Sequence, residues 1–187
     1  MSLIDDFLTD AKDHMAKSVE STRTKFSTVR AGRANATMLD RVSVDYYGTQ
    51  TPLRQLATIN APEARLLTIQ PYDKSALKAI ERSIQESDLG LTPNNDGSII
   101  RLQIPEMTEE RRRDMVKVAR QVAEEGRIAI RNIRRDTMQD LRELREGGEV
   151  GQDEEHRAEE ALQKLTNESV AELDGALKAK EAEILEV

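Results

Sequence analysis

Apolar side chains recur near the start of the chain at steps of three and four: Ile4, Leu8, Ala11, Met15, Val19, Phe26 and Val29, with one interruption at Thr22. That spacing lines one face of a helix. Gly32 lies just past the last periodic position, where glycine suits the left-handed conformation that closes a helix. The period then changes. Val42, Val44 and Tyr46 alternate with Arg41, Ser43 and Asp45, which predicts a half-buried strand. Leu66, Leu67 and Ile69 predict a second short strand, stopped by Pro71. Asp73 is placed to cap a helix carrying Leu77, Ile80 and Ile84, with Gly90 at its end. Asn94-Asn95-Asp96-Gly97 is turn chemistry, after which Ile100, Leu102 and Ile104 alternate into Pro105.

At Thr108 the helical period returns, with Glu109 and Glu110 favouring a helix N-terminus. It runs without proline to Glu146, where Gly147, Gly148 and Gly151 break it. A last helix carries Ala158, Leu162, Leu165, Leu173, Ala176, Leu177 and Ile184. Three long amphipathic helices, each with a narrow stripe, bury those stripes best against one another. The expected class is therefore α+β: an elongated three-helix bundle from residues 1–31 and 106–187, with a small β/α/β domain inserted at 32–105. Two chain crossings join the parts, at Ala31-Gly32-Arg33-Ala34 and at Ile104-Pro105-Glu106, and a two-strand connection can act as a hinge.

Composition narrows the chemistry. The 187 residues contain no Cys, which removes disulfides, thiolate nucleophiles and cysteine-ligated zinc. No run of 18 apolar residues occurs, and the acidic start lacks the basic-then-apolar order of a signal peptide. A soluble cytoplasmic protein without a membrane partner is expected. Net charge is −7, but its distribution matters more than its sum. Residues 147–187 hold 12 acids against 4 bases, whereas 107–146 hold 11 bases against 9 acids.

Within that middle helix the charges segregate. Taking about 100° per residue from Met115, the apolar positions Val118, Val122, Ala129, Ile133 and Leu144 fall within about 60° of it. Arg113, Lys117, Arg120, Arg127, Arg131, Arg134, Arg135, Arg142 and Arg145 fall between about 100° and 200°, with Glu124 the one acid among them. Eight of these nine cations are arginine. Its planar fork matches phosphate oxygens bidentately, where lysine offers a point charge. A solvated charged face is the plainer alternative. The arginine bias favours a structured nucleic acid, and Arg30 and Arg33 would extend the row. Only five aromatics exist (Phe7, Phe26, Tyr46, Tyr47, Tyr72), too few for a single-strand stacking platform, so RNA shape and phosphates fit better. Tyr46 and Tyr47 are expected in the small domain's core.

Enzyme chemistry is not expected. His14 and His156 lie on different helices, and no phosphate-cradling Gly-x-x-x-x-Gly-Lys-Ser/Thr loop occurs. Acid pairs such as Asp5-Asp6 and Glu154-Glu155 read as solvated capping and solubility groups, not metal ligands.

Several segments, in order along nearly the whole chain, closely resemble bacterial ribosome recycling factors. They are Arg30-Ala31-Gly32-Arg33-Ala34, Asp45-Tyr46-Tyr47-Gly48 with Thr51-Pro52-Leu53, and Ser87-Asp88-Leu89-Gly90-Leu91. Thr108-Glu109-Glu110-Arg111-Arg112, Arg131-Asn132-Ile133-Arg134-Arg135-Asp136 and Lys180-Glu181-Ala182-Glu183 complete the set. The resemblance implies an L-shaped monomer that binds the large ribosomal subunit and its ribosomal RNA after termination. Elongation factor G, carrying the GTP, then acts on it and the subunits separate; this chain needs no cofactor of its own. It further implies that Arg131 and Arg134 are principal RNA contacts, with Arg135, Arg127, Arg30 and Arg33 near them. One other function remains open at this point, a bundle that binds protein through its acidic last helix; a self-sufficient nucleotide hydrolase would have to turn over GTP or ATP alone, and no such turnover is expected.

Overall fold

A computed structural model describes residues 2–29 and 31–186. The chain divides into two compact units, residues 1–31 with 112–187, and residues 32–111.

Three helices build the first unit: α1 (Leu3–Thr28), α4 (Glu109–Glu146) and α5 (Gln152–Leu185). At its start α1 is closed by a reciprocal box: Asp5 N–H donates to Ser2 Oγ at 3.2 Å, and Ser2 N–H to Asp5 Oδ2 at 3.0 Å. The Ser2 amide, and after it the Ser2 hydroxyl, hold the Asp5 carboxyl below its usual range. Arg111 N–H donates to Thr108 Oγ1 at 3.2 Å at the start of α4. Gly148 takes a φ of +75° past its end, a conformation glycine adopts without a Cβ clash.

The bundle core is made by Ala11, Met15, Val19 and Phe26 of α1, by Val116, Ala119, Ala123, Ile130 and Leu141 of α4, and by Ala158, Leu162, Leu173 and Ile184 of α5. Thr22, the apparent gap in the α1 stripe, is buried, and its hydroxyl donates to Ser18 O at 2.9 Å. A threonine hydroxyl satisfied by its own helix costs the core little. Gly126, in the middle of α4, meets α1 and α5 together. A Cβ there would lie 2.5 Å from Thr22 Oγ1 and 2.6 Å from Leu173 Cδ1. The close approach of the helices at this level requires a hydrogen in place of a side chain.

This packing corrects the face expected for α4. The buried positions centre about 60° round the helix from Met115, toward the arginines. Val118 is exposed, and Met115, Val122, Ala129, Ile133 and Leu144 are only half-buried. The small residues Ala119, Ala123 and Gly126 win the centre because they let the helices approach closely, which bulkier neighbours prevent. Glu155 is also corrected: it is buried rather than solvated, and Arg145 Nε pairs with it at 3.1 Å.

The second unit holds a hairpin, β1 (Ser43–Tyr46) with β2 (Thr49–Pro52), and a four-stranded antiparallel sheet. In the sheet β3 (Ala57–Glu63), β4 (Leu66–Pro71), β5 (Pro93–Asn95) and β6 (Ile100–Gln103) run in the order β3-β4-β6-β5. A single helical turn, α2 (Leu53–Leu56), precedes β3, and α3 (Leu77–Glu86) follows β4. Leu39, Val44, Leu53, Leu67, Ile69, Ile80, Ile84, Ile100 and Leu102 form one core. The helix ends at Glu86, with Ser87 as its cap, rather than at Gly90. Asn94 and Asn95 belong to β5, and the turn proper is Asp96–Ile99. There the Asp96 carboxylate accepts from Ser98 N–H at 3.0 Å, Ile99 N–H at 2.9 Å and Arg101 Nη1 at 2.7 Å. The Arg101 bond and then the two amides hold its pKa down at about 2, from 3.8.

The tyrosines separate. Tyr46 packs against the core and donates to Asp73 Oδ2 at 2.9 Å. Tyr47, expected inside, is 80% exposed and sits at φ +50°, because it and Gly48 form the tight turn between β1 and β2.

Candidate nucleic-acid interface

The basic residues of α4 begin at the edge of its buried stripe rather than opposite it. Arg127, Arg134 and Arg145, the nearest to that edge, are half-buried, while Lys117, Arg120, Arg131, Arg135 and Arg142 are exposed. Lys117 and Arg142 have no carboxylate partner among the described residues. Arg113 is exposed. Arg33 is exposed in the smaller unit, and Arg30 lies outside the described residues.

The arginines nearest α5 reach across to it along one antiparallel seam. Arg120 Nε meets Glu181 Oε1 at 2.6 Å. Arg127 holds Asp174 through Nε at 2.8 Å and Nη2 at 2.5 Å. Arg134 Nη1 donates to Gln163 Oε1 at 2.7 Å, and Arg145 reaches Glu155. On α1, Arg23 pairs with Glu172 at 2.9 Å. Much of the acid concentrated in the last forty residues or so thus serves internal pairing. None of the seam partners was apparent from the sequence, where they fall beside the apolar stripe of α5. The opposed charge of segments 107–146 and 147–187 was the one available signal.

At two rungs the seam favours the charged form of arginine. The bond to Asp174, then that to Glu124, raises the Arg127 pKa above its usual value, and the Glu181 bond raises that of Arg120. Glu124, between Arg127 (3.0 Å) and Arg131 (3.2 Å), is held below the usual carboxylate range, with the Arg127 bond the main cause. It stays ionised at neutral pH. The row is therefore not one of bare guanidinium groups, as the sequence suggested. Arg131 is 54% exposed and its partner half-exposed. Such solvent-screened pairs hold weakly, so Arg131 can exchange a carboxylate for a phosphate at small cost. Arg127, 21% exposed and doubly paired, is instead committed to the bundle.

The segments that join the two units have local anchors. Ala34 N–H donates to Ala64 O at 2.7 Å and Ile104 N–H to Arg65 O at 2.8 Å, so both strands of the connection are tied to the β3–β4 turn. Arg65 also pairs with Glu106 at 3.4 Å. Gly32, at φ +75°, packs against Met107, whose Cγ a Cβ would approach to 3.5 Å. Ala31 is half-buried in the bundle, while Arg33 and Pro105 are exposed. Among the described residues no helix is long and apolar enough to cross a membrane, and no three His, Cys, Asp or Glu cluster as a metal would require.

Comparison with known proteins gives one consistent result. Residues 22–185 match the family model for ribosome recycling factor. The ribosome-recycling factor of Rubrobacter xylanophilus is 54% identical over 180 residues, covering 96% of this chain and 97% of that one. That of Mycobacterium marinum is 51% identical over 185 residues, 99% and 100% of the two chains. A solution structure of the ribosome recycling factor superposes with a TM-score of 0.80 at 38% identity, covering all of both chains. A second structure, of the T. thermophilus factor and E. coli elongation factor G bound to the E. coli post-termination complex, gives 0.67 at 45% identity over both full lengths. The chain belongs to the ribosome recycling factor family.

Proposed function

We propose that this chain returns ribosomes to use after termination by docking the outward flank of α4 on RNA of the large subunit. The observation that carries the proposal is the group formed by Lys117, Arg131, Arg134, Arg135 and Arg142: cations that are exposed, weakly paired or paired to a neutral group. Arginine reads phosphate geometry with paired donors, and each charge-assisted contact is worth about tenfold in affinity or more. Arg120, Arg127 and Arg145, bound to α5 carboxylates, shape and stiffen that flank. Arg113 extends the positive field along α4.

Elongation factor G supplies the energy through its own GTP, and the subunits separate. Kinship to a factor placed with elongation factor G on a post-termination complex supports this partner. The chain itself is a translation factor, not an enzyme, and works as a monomer in the cytoplasm. The connections at Ala31-Gly32-Arg33-Ala34 and Ile104-Pro105-Glu106 serve as a hinge, so that the smaller unit moves while the bundle stays anchored.

The test uses purified large subunits and intact post-termination ribosomes. Arg131→Ala with Arg134→Ala should weaken subunit binding at least about a hundredfold, two charged contacts at about tenfold each. Splitting driven by elongation factor G and GTP, followed by light scattering, should fall in parallel. Unchanged binding by a double variant with a normal helical circular dichroism signal would refute the docking face.

A further inference from the structure

Along the α4–α5 seam three arginines end on carboxylates and one does not. Arg134 meets the neutral amide of Gln163, whose Oε1 accepts from Nη1 at 2.7 Å. Gln163 Nε2 donates in turn to Asn167 Oδ1 at 2.9 Å, one turn along α5. That second bond fixes which end of the Gln163 amide faces the guanidinium. Arg134 Nε is buried without a hydrogen-bond partner, so the inner edge of the fork is held against the helix interface. The side chain is thereby oriented, yet among the described residues no carboxylate pairs with it. Arg120, Arg127 and Arg145 are oriented as firmly, but each is neutralised.

We infer that Gln163 is a positioning residue: it aims the Arg134 guanidinium at an RNA phosphate while leaving its positive charge whole. The inference rests on the docking face proposed above and adds to it the residue that keeps one rung of the seam uncompensated. A neutral acceptor can satisfy one N–H of the fork and leave the remaining donors and the full charge for a phosphate. A carboxylate at the same place would hold the fork equally well and cancel that charge, as Asp174 and Glu181 do at theirs. The local structure would tolerate the exchange, because glutamate is isosteric with glutamine and matches the neighbouring rungs.

The experiment measures equilibrium binding of the full chain to purified large ribosomal subunits across a series of KCl concentrations. Gln163→Glu should fold as the parent does and bind about tenfold more weakly or worse. Its log–log salt slope should drop by about one ion, as expected when one phosphate contact is lost. In an Arg134→Ala background the same change should have no further effect, which separates a lost contact from general repulsion. Gln152→Glu, which adds the same charge at the start of α5, should bind within about twofold of the parent. If Arg134→Ala weakens binding while Gln163→Glu keeps the parental affinity and slope, the role of Gln163 is refuted and the docking face survives. If the parent itself does not bind large subunits, or Arg134→Ala binds as tightly as the parent, both fall.

Discussion

Replacing Gly126 by alanine adds one methyl group at the point where all three helices meet. The added carbon would lie 2.5 Å from Thr22 Oγ1 and 2.6 Å from Leu173 Cδ1, against about 3.5–4.0 Å for an unstrained contact between carbons. Both neighbours must therefore retreat by about 1 Å. Leu173 is fully buried, and moving Thr22 disturbs a side chain whose hydroxyl is bonded to Ser18 O. Overpacking of this kind costs about 1–3 kcal/mol, while removing a mid-helix glycine returns about 1 kcal/mol of helix propensity. The net expectation is a loss of up to about 2 kcal/mol. All three tyrosines lie in the smaller unit and the chain has no tryptophan, so tyrosine fluorescence reports that unit separately. Urea unfolding should move the far-ultraviolet dichroism midpoint down and leave the tyrosine midpoint in place, with the slope unchanged. Thr22→Ala in the same chain should recover part of the loss, a coupling of at least about 0.5 kcal/mol. A Gly126→Ala variant about 1 kcal/mol more stable than the parent, and additive with Thr22→Ala, would refute this account of the core.

Further outcomes follow from the same contacts. Asp96 has its pKa depressed in the folded chain, so its stabilising effect is complete above about pH 4 and is lost as pH falls toward about 2. Asp96→Asn should lower the stability of the smaller unit near neutral pH and flatten its pH dependence between those limits, as read by tyrosine fluorescence. Glu155→Ala removes the buried partner of Arg145 at the α4–α5 interface and leaves it Glu146 at 3.6 Å, and should cost about 1 kcal/mol in the dichroism transition. Glu124→Gln removes the carboxylate shared by Arg127 and Arg131. It should tighten binding to large subunits and steepen its dependence on salt, whereas a decrease in affinity would show that Glu124 orients Arg131 for docking.

The helices were legible because their burial is periodic: Ala11, Met15 and Val19 on α1, or Ala158, Leu162 and Leu173 on α5, recur at helical spacing and do fill the core. The face of α4 was not, for a physical reason. It carries two overlapping apolar rows, one of larger residues through Met115, Val118 and Val122, the other through Ala119, Ala123 and Gly126. Hydrophobicity favours the first, but close approach of three helices favours the second. Gly126 was the available clue, being a glycine in a helix interior with no turn to serve. The strands divide in the same manner. Central β4 and β6 show their alternation in Leu67, Ile69, Ile100 and Leu102, whereas edge strands β3 and β5 and the hairpin strand β2 are polar enough to read as loop.

Charge was the least legible level. The segregation on α4 is visible from residue order alone, yet which arginines are occupied depends on α5, a segment beginning after the Gly147-Gly148 break. Pairing with Asp174 and Glu181 divides the row into a structural part and an available part, and no local pattern reports that division. Opposed net charge in residues 107–146 and 147–187 hinted at it without naming partners.

The most direct measurement is electron cryomicroscopy density for the chain on a post-termination ribosome. It should place Arg131 and Arg134 within hydrogen-bond distance of ribosomal RNA phosphates, with Arg127 still on Asp174. Density in which that side of α4 faces open solvent, while another surface of the bundle touches the RNA, would contradict the account.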